Sequence, residues 1–354
     1  MSTLSAIRPT LLDVSRILDP NGKIDKVVNI LQNTNEILDD LPMLEGNLPT
    51  GHLFTKQTSK PTPVFRLLNA GVVPQKSTTG QVTETCAMME NRSQIDKDVA
   101  ELNGNTVAFR ASQDTPMIQG FSDMLGYTLI NGDVSVDPEK FNGLASRYFT
   151  LGTTYLTSSQ VIDAGMAAGQ SDGTSIYLVG WSPETVFCMY PKGSKAGLQY
   201  EDLGLQEVIT STTTGATMRA YVSWMQWKVG LCVKNYTYVV RICNIDYSAL
   251  QTASDGTDTS ANLLKYMSLA LDTLPSMAGI KPAFYMNNTT RAYLRVKLMD
   301  KTNLFLSQKD LTTDQGINRM GQLQFMGVPC RRIDGIDGTA AISNAETLIT
   351  AATT

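Results

Sequence analysis

The chain holds one histidine, His52. That scarcity excludes multi-histidine zinc sites and leaves a histidine-based triad a single candidate base. His52 lies in a stretch punctuated by Gly and Pro, and an exposed loop position is expected. Charge is scarce too: Asp, Glu, Lys and Arg make up 18% of 354 residues, below the usual quarter. Thr, Ser, Asn and Gln supply the polarity instead. Such a surface repels its own copies weakly and suits dense association, although an ordinary mildly acidic globular protein fits as well. The net charge of −4 lacks the basic excess of a dedicated nucleic-acid binder. It is compatible with a container wall.

No apolar run approaches the ~20 residues that span a bilayer, so no membrane partner is expected. Met1 to Pro9 has no charged start followed by an apolar run, so a secretory signal is not expected and folding in the cytoplasm is. Cys86, Cys188, Cys232, Cys243 and Cys330 contain no CxxC pair, and their number is odd. Buried free thiols in a reducing compartment are expected. GxxxxGKS/T and GxGxxG are both missing. Pro191–Gly197 has the wrong order for a phosphate loop and reads as a basic hairpin tip. Asp334 and Asp337 lack the further carboxylates of a calcium loop and read as turns. Asp96 and Asp98, two apart, face different ways on a helix. Trp181, Trp224 and Trp227 lie in dense strand-like runs and read as core, with subunit contact second. No catalytic, cofactor-binding or metal-binding residue is assigned.

What is present is an order of elements. Residues 1–45 read as an arm with helical pieces, Val27 to Leu41 suggesting an amphipathic face that packs on its own domain or on a neighbour. Residues 46–92 change character. Gly46, Pro49, Gly51, Pro61, Pro63, Gly71, Pro74 and Gly80 punctuate strand-like runs at His52–Lys56, Val64–Leu68 and Val82–Met89. Lys56, Lys60, Arg66 and Lys76 make this excursion basic. A long two-stranded loop is marginal alone in water and needs something to lie against.

Further helices are expected at 93–104, with Ser93 as N-cap, and at 115–131, with Pro116 at the first helical position. Residues 133–174 read as loop-dominated, with a short helix between Pro138 and Tyr148. Strands are expected at Ser175–Trp181 and Thr185–Tyr190. Met218–Val229 and Tyr236–Ile245 read as a stiff hairpin closed by Gly230–Asn235. A polar link, 246–257, suggests a domain boundary. Beyond it come a helix at 259–277, a buried strand at Ala283–Met286, a helix at 290–299, and strands at Gln322–Gly327 and Cys330–Ile333.

Three stretches carry a resemblance. They are Val99-Ala-Glu-Leu-Asn-Gly-Asn-Thr-Val-Ala-Phe-Arg110; Tyr177-Leu-Val-Gly-Trp-Ser-Pro-Glu-Thr-Val186 with Tyr190-Pro-Lys-Gly-Ser-Lys-Ala-Gly197; and Pro282-Ala-Phe-Tyr-Met-Asn-Asn-Thr-Thr-Arg291. With the element order, they resemble the podovirus-like major capsid proteins of tailed bacteriophages. The resemblance implies an α+β Hong Kong 97-type capsid fold. It would comprise an N-terminal arm (1–45), an extended β-loop (46–92), a spine helix and peripheral domain with a long β-hairpin (93–250), and a mainly axial domain (251–354). One feature departs from the simplest members, where the peripheral strands follow the axial domain; here 175–245 precedes it.

On this resemblance the chain is a major head protein, not an enzyme. It would self-assemble into hexamers and pentamers of an icosahedral shell enclosing double-stranded DNA, held by non-specific contact. A portal and a separate scaffolding protein are implied partners, with assembly in the host cytoplasm and residence in the virion. Phe54, Lys56, Phe65 and Arg66 in the loop, and Phe121 and Leu125 on the spine helix, are the candidate assembly residues. Deleting 52–80 is expected to leave a soluble subunit unable to close shells. Another virion component, such as a tail-tube or decoration protein, and a cytoplasmic enzyme of unknown type stay open as alternatives.

Overall fold

A computed structural model describes residues 35–102, 106–166, 173–210, 215–247, 250, 263–299, 306–312, 318–336 and 349–350. The expectations for 1–34, for the 251–257 link and for the first turn of the helix at 259–277 lie outside these residues. The described chain runs α1 (Ile37–Asp40), β1 (Met43–Glu45), β2 (Gly51–Ser59), β3 (Thr78–Thr85), β4 (Ala87–Asp96), α2 (Lys97–Glu101), α3 (Thr106–Asn131) and α4 (Leu144–Arg147). Then follow β5 (Val161–Asp163), β6 (Gly173–Trp181), β7 (Val186–Tyr190), β8 (Leu198–Ile209), β9 (Thr217–Val233) and β10 (Val239–Asp246). The last elements are α5 (Leu263–Thr273), β11 (Lys281–Met286), α6 (Asn288–Met299), β12 (Leu306–Thr312), β13 (Asn318–Phe325) and β14 (Val328–Arg332).

Among the described residues, twelve strands join in one sheet whose main path is β12-β13-β14-β11-β6-β7-β9-β4. β6 is buried at every position, and its Ile176–Val179 stretch is apolar throughout because both faces are covered. Tyr177, Val179 and Trp181 enter one core with Leu125, Leu129 and Ile130 of α3. Ile176 and Leu178 enter a second core with Met267 and Leu271 of α5 and Leu294 of α6. Alternate residues thus serve opposite cores, as period-2 geometry requires. β11 does the same, with Tyr285 in the first core and Phe284 in the second.

The boundary expected at 246–257 does not separate two sheets, because β11 pairs antiparallel with β6 from Lys281↔Trp181 to Tyr285↔Tyr177. Residues 35–45 are likewise part of the body. Ile37 is fully buried, and β1 pairs parallel with β7. Glu36 binds Arg291 at 2.7 Å and accepts the Arg332 backbone N–H at 3.0 Å. Asp40 accepts from Arg331 and from the Tyr285 hydroxyl, both at 2.9 Å.

Three local expectations are corrected. First, Ser93 caps no helix. β4 runs on to Asp96 opposite Ala220, and the Asp96 carboxylate caps α2 by accepting from Asp98 N at 2.9 Å. Second, α3 starts at Thr106, leaving Pro116 in its interior. An internal Pro costs about 3 kcal/mol. Packing of Phe109 against Ile95 and Ala100, and the Arg110–Asp202 ion pair, offset that cost. Third, the hairpin of β9 with β10 does not form. β9 continues through Gly230 to Val233 opposite β7, and β10 pairs with β5 and β6. The long hairpin is β8 with β9, from Leu198↔Trp227 to Ile209↔Thr217. β8 was not expected because Glu201, Asp202 and Glu207 interrupt any apolar pattern.

Candidate assembly interface

β2 and β3 form an antiparallel hairpin, from Gly51↔Thr85 at the base to Ser59↔Thr78. Gly51 is required there: a Cβ would stand 1.9 Å from the Glu84 carbonyl oxygen. The base is fastened to the body. Phe54 packs on the Phe187, Met189 and Cys232 cluster, and the His52 ring meets Phe187 edge-on at 5.6 Å. Glu84 receives both Arg147 amino groups, at 2.5 and 2.7 Å. Arg147 also donates to the carbonyls of Asn142 and Leu231.

Beyond Phe54 the hairpin leaves the body. Every residue from Thr55 to Thr79 is exposed. Val64–Leu68 is not a strand; Arg66 donates to the Ala70 carbonyl at 3.1 Å across a turn in which Asn69 takes φ +66°. Phe65 is 105% exposed, Leu68 93%, Leu67 82% and Val73 79%. Folded chains seldom leave such a group of large apolar side chains bare unless something covers it. Residues 46–83 contain no Asp or Glu, while Lys56, Lys60, Arg66 and Lys76 stand among them.

The six residues picked from sequence therefore divide. Lys56, Phe65 and Arg66 are on the free part of the hairpin. Phe54 is at its base, half-buried against its own chain. Leu125 is fully buried in the main core and offers no surface to a neighbour. Phe121 is buried but lines a groove of about 370 Å³ between α3 and β4, with Met88, Met117, Met124 and Phe141. Sequence reasoning missed this groove, and with it Glu84, Arg147 and the exposed Leu67 and Leu68.

His52 is half-buried in β2, not exposed in a loop, because its ring packs on Phe187. Burial first, and then the Lys234 ammonium, lower its pKa from 6.5. The unfolded chain takes up a proton below 6.5 while the folded base resists. Stability therefore falls as pH drops through the interval from 6.5 to the folded value, and levels off below it. Denaturant midpoints of the unassembled subunit are expected to drop between about pH 8 and about pH 5.5, and to drop less in His52→Asn. Equal slopes for both would count against a coupled His52.

The Cys86, Cys232 and Cys330 thiols are chemically quiet. Burial pushes Cys86 up to about 11 and Cys232 and Cys330 to about 12, far from thiolate at neutral pH. Among the described residues, no three His, Cys, Asp or Glu side chains form a metal-binding group, and no helix is long and apolar enough to cross a membrane.

The family model described as "Major capsid protein GP7" matches residues 19–347. A chain from the near-atomic structure of bacteriophage epsilon15 is 29% identical, with 96% of this chain and 98% of that chain covered and a TM-score of 0.76. The bacteriophage JBD30 capsid is more distant, at 10% identity over 87% of this chain and 93% of that chain, with a TM-score of 0.45. No curated protein matches the chain. Matched across nearly its whole length, with the Hong Kong 97-type α+β fold and no enzymatic role, the chain belongs to the GP7 family of major capsid proteins and builds the icosahedral shell of a tailed-phage virion from copies of itself.

Proposed function

We propose that the β2–β3 hairpin is the extended loop of the shell subunit and lies on an adjacent copy, in a shell of hexamers and pentamers around double-stranded DNA. The observation that carries this reading is the bare apolar tip, Phe65, Leu67 and Leu68, on a hairpin whose residues from Thr55 to Thr79 are all exposed among the described residues. An isolated two-stranded hairpin is marginal in water. A neighbour's surface removes the tip from water and gives the hairpin a third layer. Many such contacts add up through multivalency, so each one can stay modest. Lys56, Phe65 and Arg66 serve that contact, and Phe121 serves as part of the surface that receives it.

In this reading α3 is the spine helix. With β4, β8 and β9 it forms the peripheral domain. The axial domain combines the 251–354 region with β6 and β10, because β6 pairs directly with β11, β10 pairs with β6, and both strands enter the α5–α6 core. Axial contacts close the rings of five and six. The mildly acidic chain holds packaged DNA by non-specific contact only, weakly enough to release it. A separate scaffolding protein sets shell size, a portal occupies one vertex, and assembly takes place in the host cytoplasm.

Electron microscopy of the purified chain, alone and with a co-expressed scaffold, tests the shell geometry. Closed particles with five- and six-fold capsomers are expected. Tubes of stacked rings, or single subunits under every condition, would defeat it. Nuclease-protected DNA inside particles from infected cells tests the enclosed cargo.

A further inference from the structure

Asn244 is 3% exposed and holds φ +57°, a left-handed conformation that Asn tolerates better than most residues. It sits where the register of β10 against β6 shifts, between Ile242 and Ile245. Such a bulge re-aims a side chain. The Asn244 amide meets the main chain of Ile349 here. Its Nδ2 donates to the Ile349 carbonyl at 2.9 Å, and its Oδ1 accepts the Ile349 N–H at 2.8 Å. Nδ2 also donates to Asp163 Oδ1 at 2.8 Å. An ionised carboxylate only accepts, so Asp163 fixes which end of the amide donates.

The contacts continue one residue further. The Leu151 N–H donates to the Thr350 carbonyl at 3.3 Å. The Thr150 hydroxyl donates to the same oxygen at 3.1 Å, and Thr150 is 4% exposed. Each of these bonds reaches a main-chain atom of residues 349–350. Of the two side chains, Ile349 packs on the main core and Thr350 is exposed. The arrangement therefore reads backbone plus one aliphatic group. Sites for peptide strands work in this way: main-chain hydrogen bonds supply affinity, and a pocket supplies selection.

We propose that Asn244, Thr150 and Leu151 form a peptide slot, with Ile349–Thr350 as its tethered and displaceable ligand. The ligand class is a peptide strand with an aliphatic residue at the Ile349 position. An untethered segment of that chemistry takes the place of the chain's own tail. In a shell, the C-terminal segment of a second copy carries the same chemistry at high local concentration. Exchange of tails between copies then links subunits without any new contact surface.

Amide exchange at Ile349 in the unassembled full-length chain tests the slot. The probe is a synthetic peptide with the sequence of residues 346–354. A short tether gives its ligand an effective concentration of about millimolar, so millimolar peptide competes with the tail. The Ile349 amide is expected to exchange at least about tenfold faster with the peptide present. The same peptide N-methylated at the Ile349 position lacks the N–H that Asn244 accepts, and it is expected to change nothing. Asn244→Gly keeps the backbone conformation, because Gly adopts positive φ freely, and removes the amide. Its tail is expected to exchange at least about tenfold faster without peptide, with no further change on adding it. Exchange in the unaltered chain that ignores the peptide, or that speeds equally with the N-methylated form, overturns the proposal. So does a folded Asn244→Gly chain with Ile349 as protected as before. The two peptides on the unaltered chain decide the matter alone if that variant does not fold.

Discussion

Replacing residues 60–77 by an Asn-Gly turn is expected to yield a folded subunit that closes no shells. Ser59 and Thr78 face each other across the hairpin, so a two-residue turn joins them without changing register. The cut removes Lys60, Phe65, Arg66, Leu67, Leu68 and Lys76 and keeps His52, Phe54 and Glu84, which hold the base. A deletion of 52–80 is too wide, because it also strips His52 and Phe54 from the Phe187 cluster. The removed residues are exposed throughout, so unfolding of the isolated subunit is expected to shift by no more than about 0.5 kcal/mol. Sedimentation and electron microscopy read the assembly loss. Normal particles from this variant would defeat the hairpin assignment.

Replacing Glu84 by Ala is expected to destabilise the isolated subunit by about 3–5 kcal/mol, the cost of leaving a buried charge without its partner. The Glu84 side chain is 10% exposed and that of Arg147 18%. Without the carboxylate, the guanidinium keeps only the Asn142 and Leu231 carbonyls. The hairpin base then loses its only ion pair to the body among the described residues. The paired substitution Glu84→Leu with Arg147→Leu is expected to recover much of the loss, because no buried charge remains. Denaturant titration with an unchanged slope measures both. A loss under about 1 kcal/mol would place the pair with exposed surface bridges, where such pairs contribute little.

The parts legible in sequence were those where local pattern and tertiary demand agree. Ile176–Val179 of β6 and Ala283–Met286 of β11 are buried on both faces, so each shows as a plain apolar run. The β2–β3 hairpin was visible as strand runs between Gly and Pro. α3 was half visible: its second half is periodic, but Pro116 looks like a first residue, and only the burial of Phe109 explains the helical turns before it. β8 was invisible because an outer strand with one solvated face needs no apolar run. The β9–β10 connection misled because Gly230 reads as a turn, whereas the strand needs it for space: a Cβ there would lie 2.6 Å from the Thr85 carbonyl oxygen.

The candidate site was legible only where it projects. Phe65 and Arg66 stand out in a stretch punctuated by Pro61, Pro63, Gly71 and Pro74. The groove beside Phe121 is built from residues far apart in the chain, Met88 on β4 and Met124 on α3, and no spacing rule joins them. Leu125 and Met124 are adjacent on one helix, yet one is core and the other surface. A 3.6-residue period marks which face is apolar; it does not mark where the core ends.

Amide hydrogen exchange across residues 60–77, compared between free subunits and closed shells, asks most directly where this segment finds its partner. The free subunit should exchange there at close to the unprotected rate, and the shell should slow it by about 100-fold or more. Fast exchange that persists in the shell, or protection already complete in the free subunit, would contradict the account.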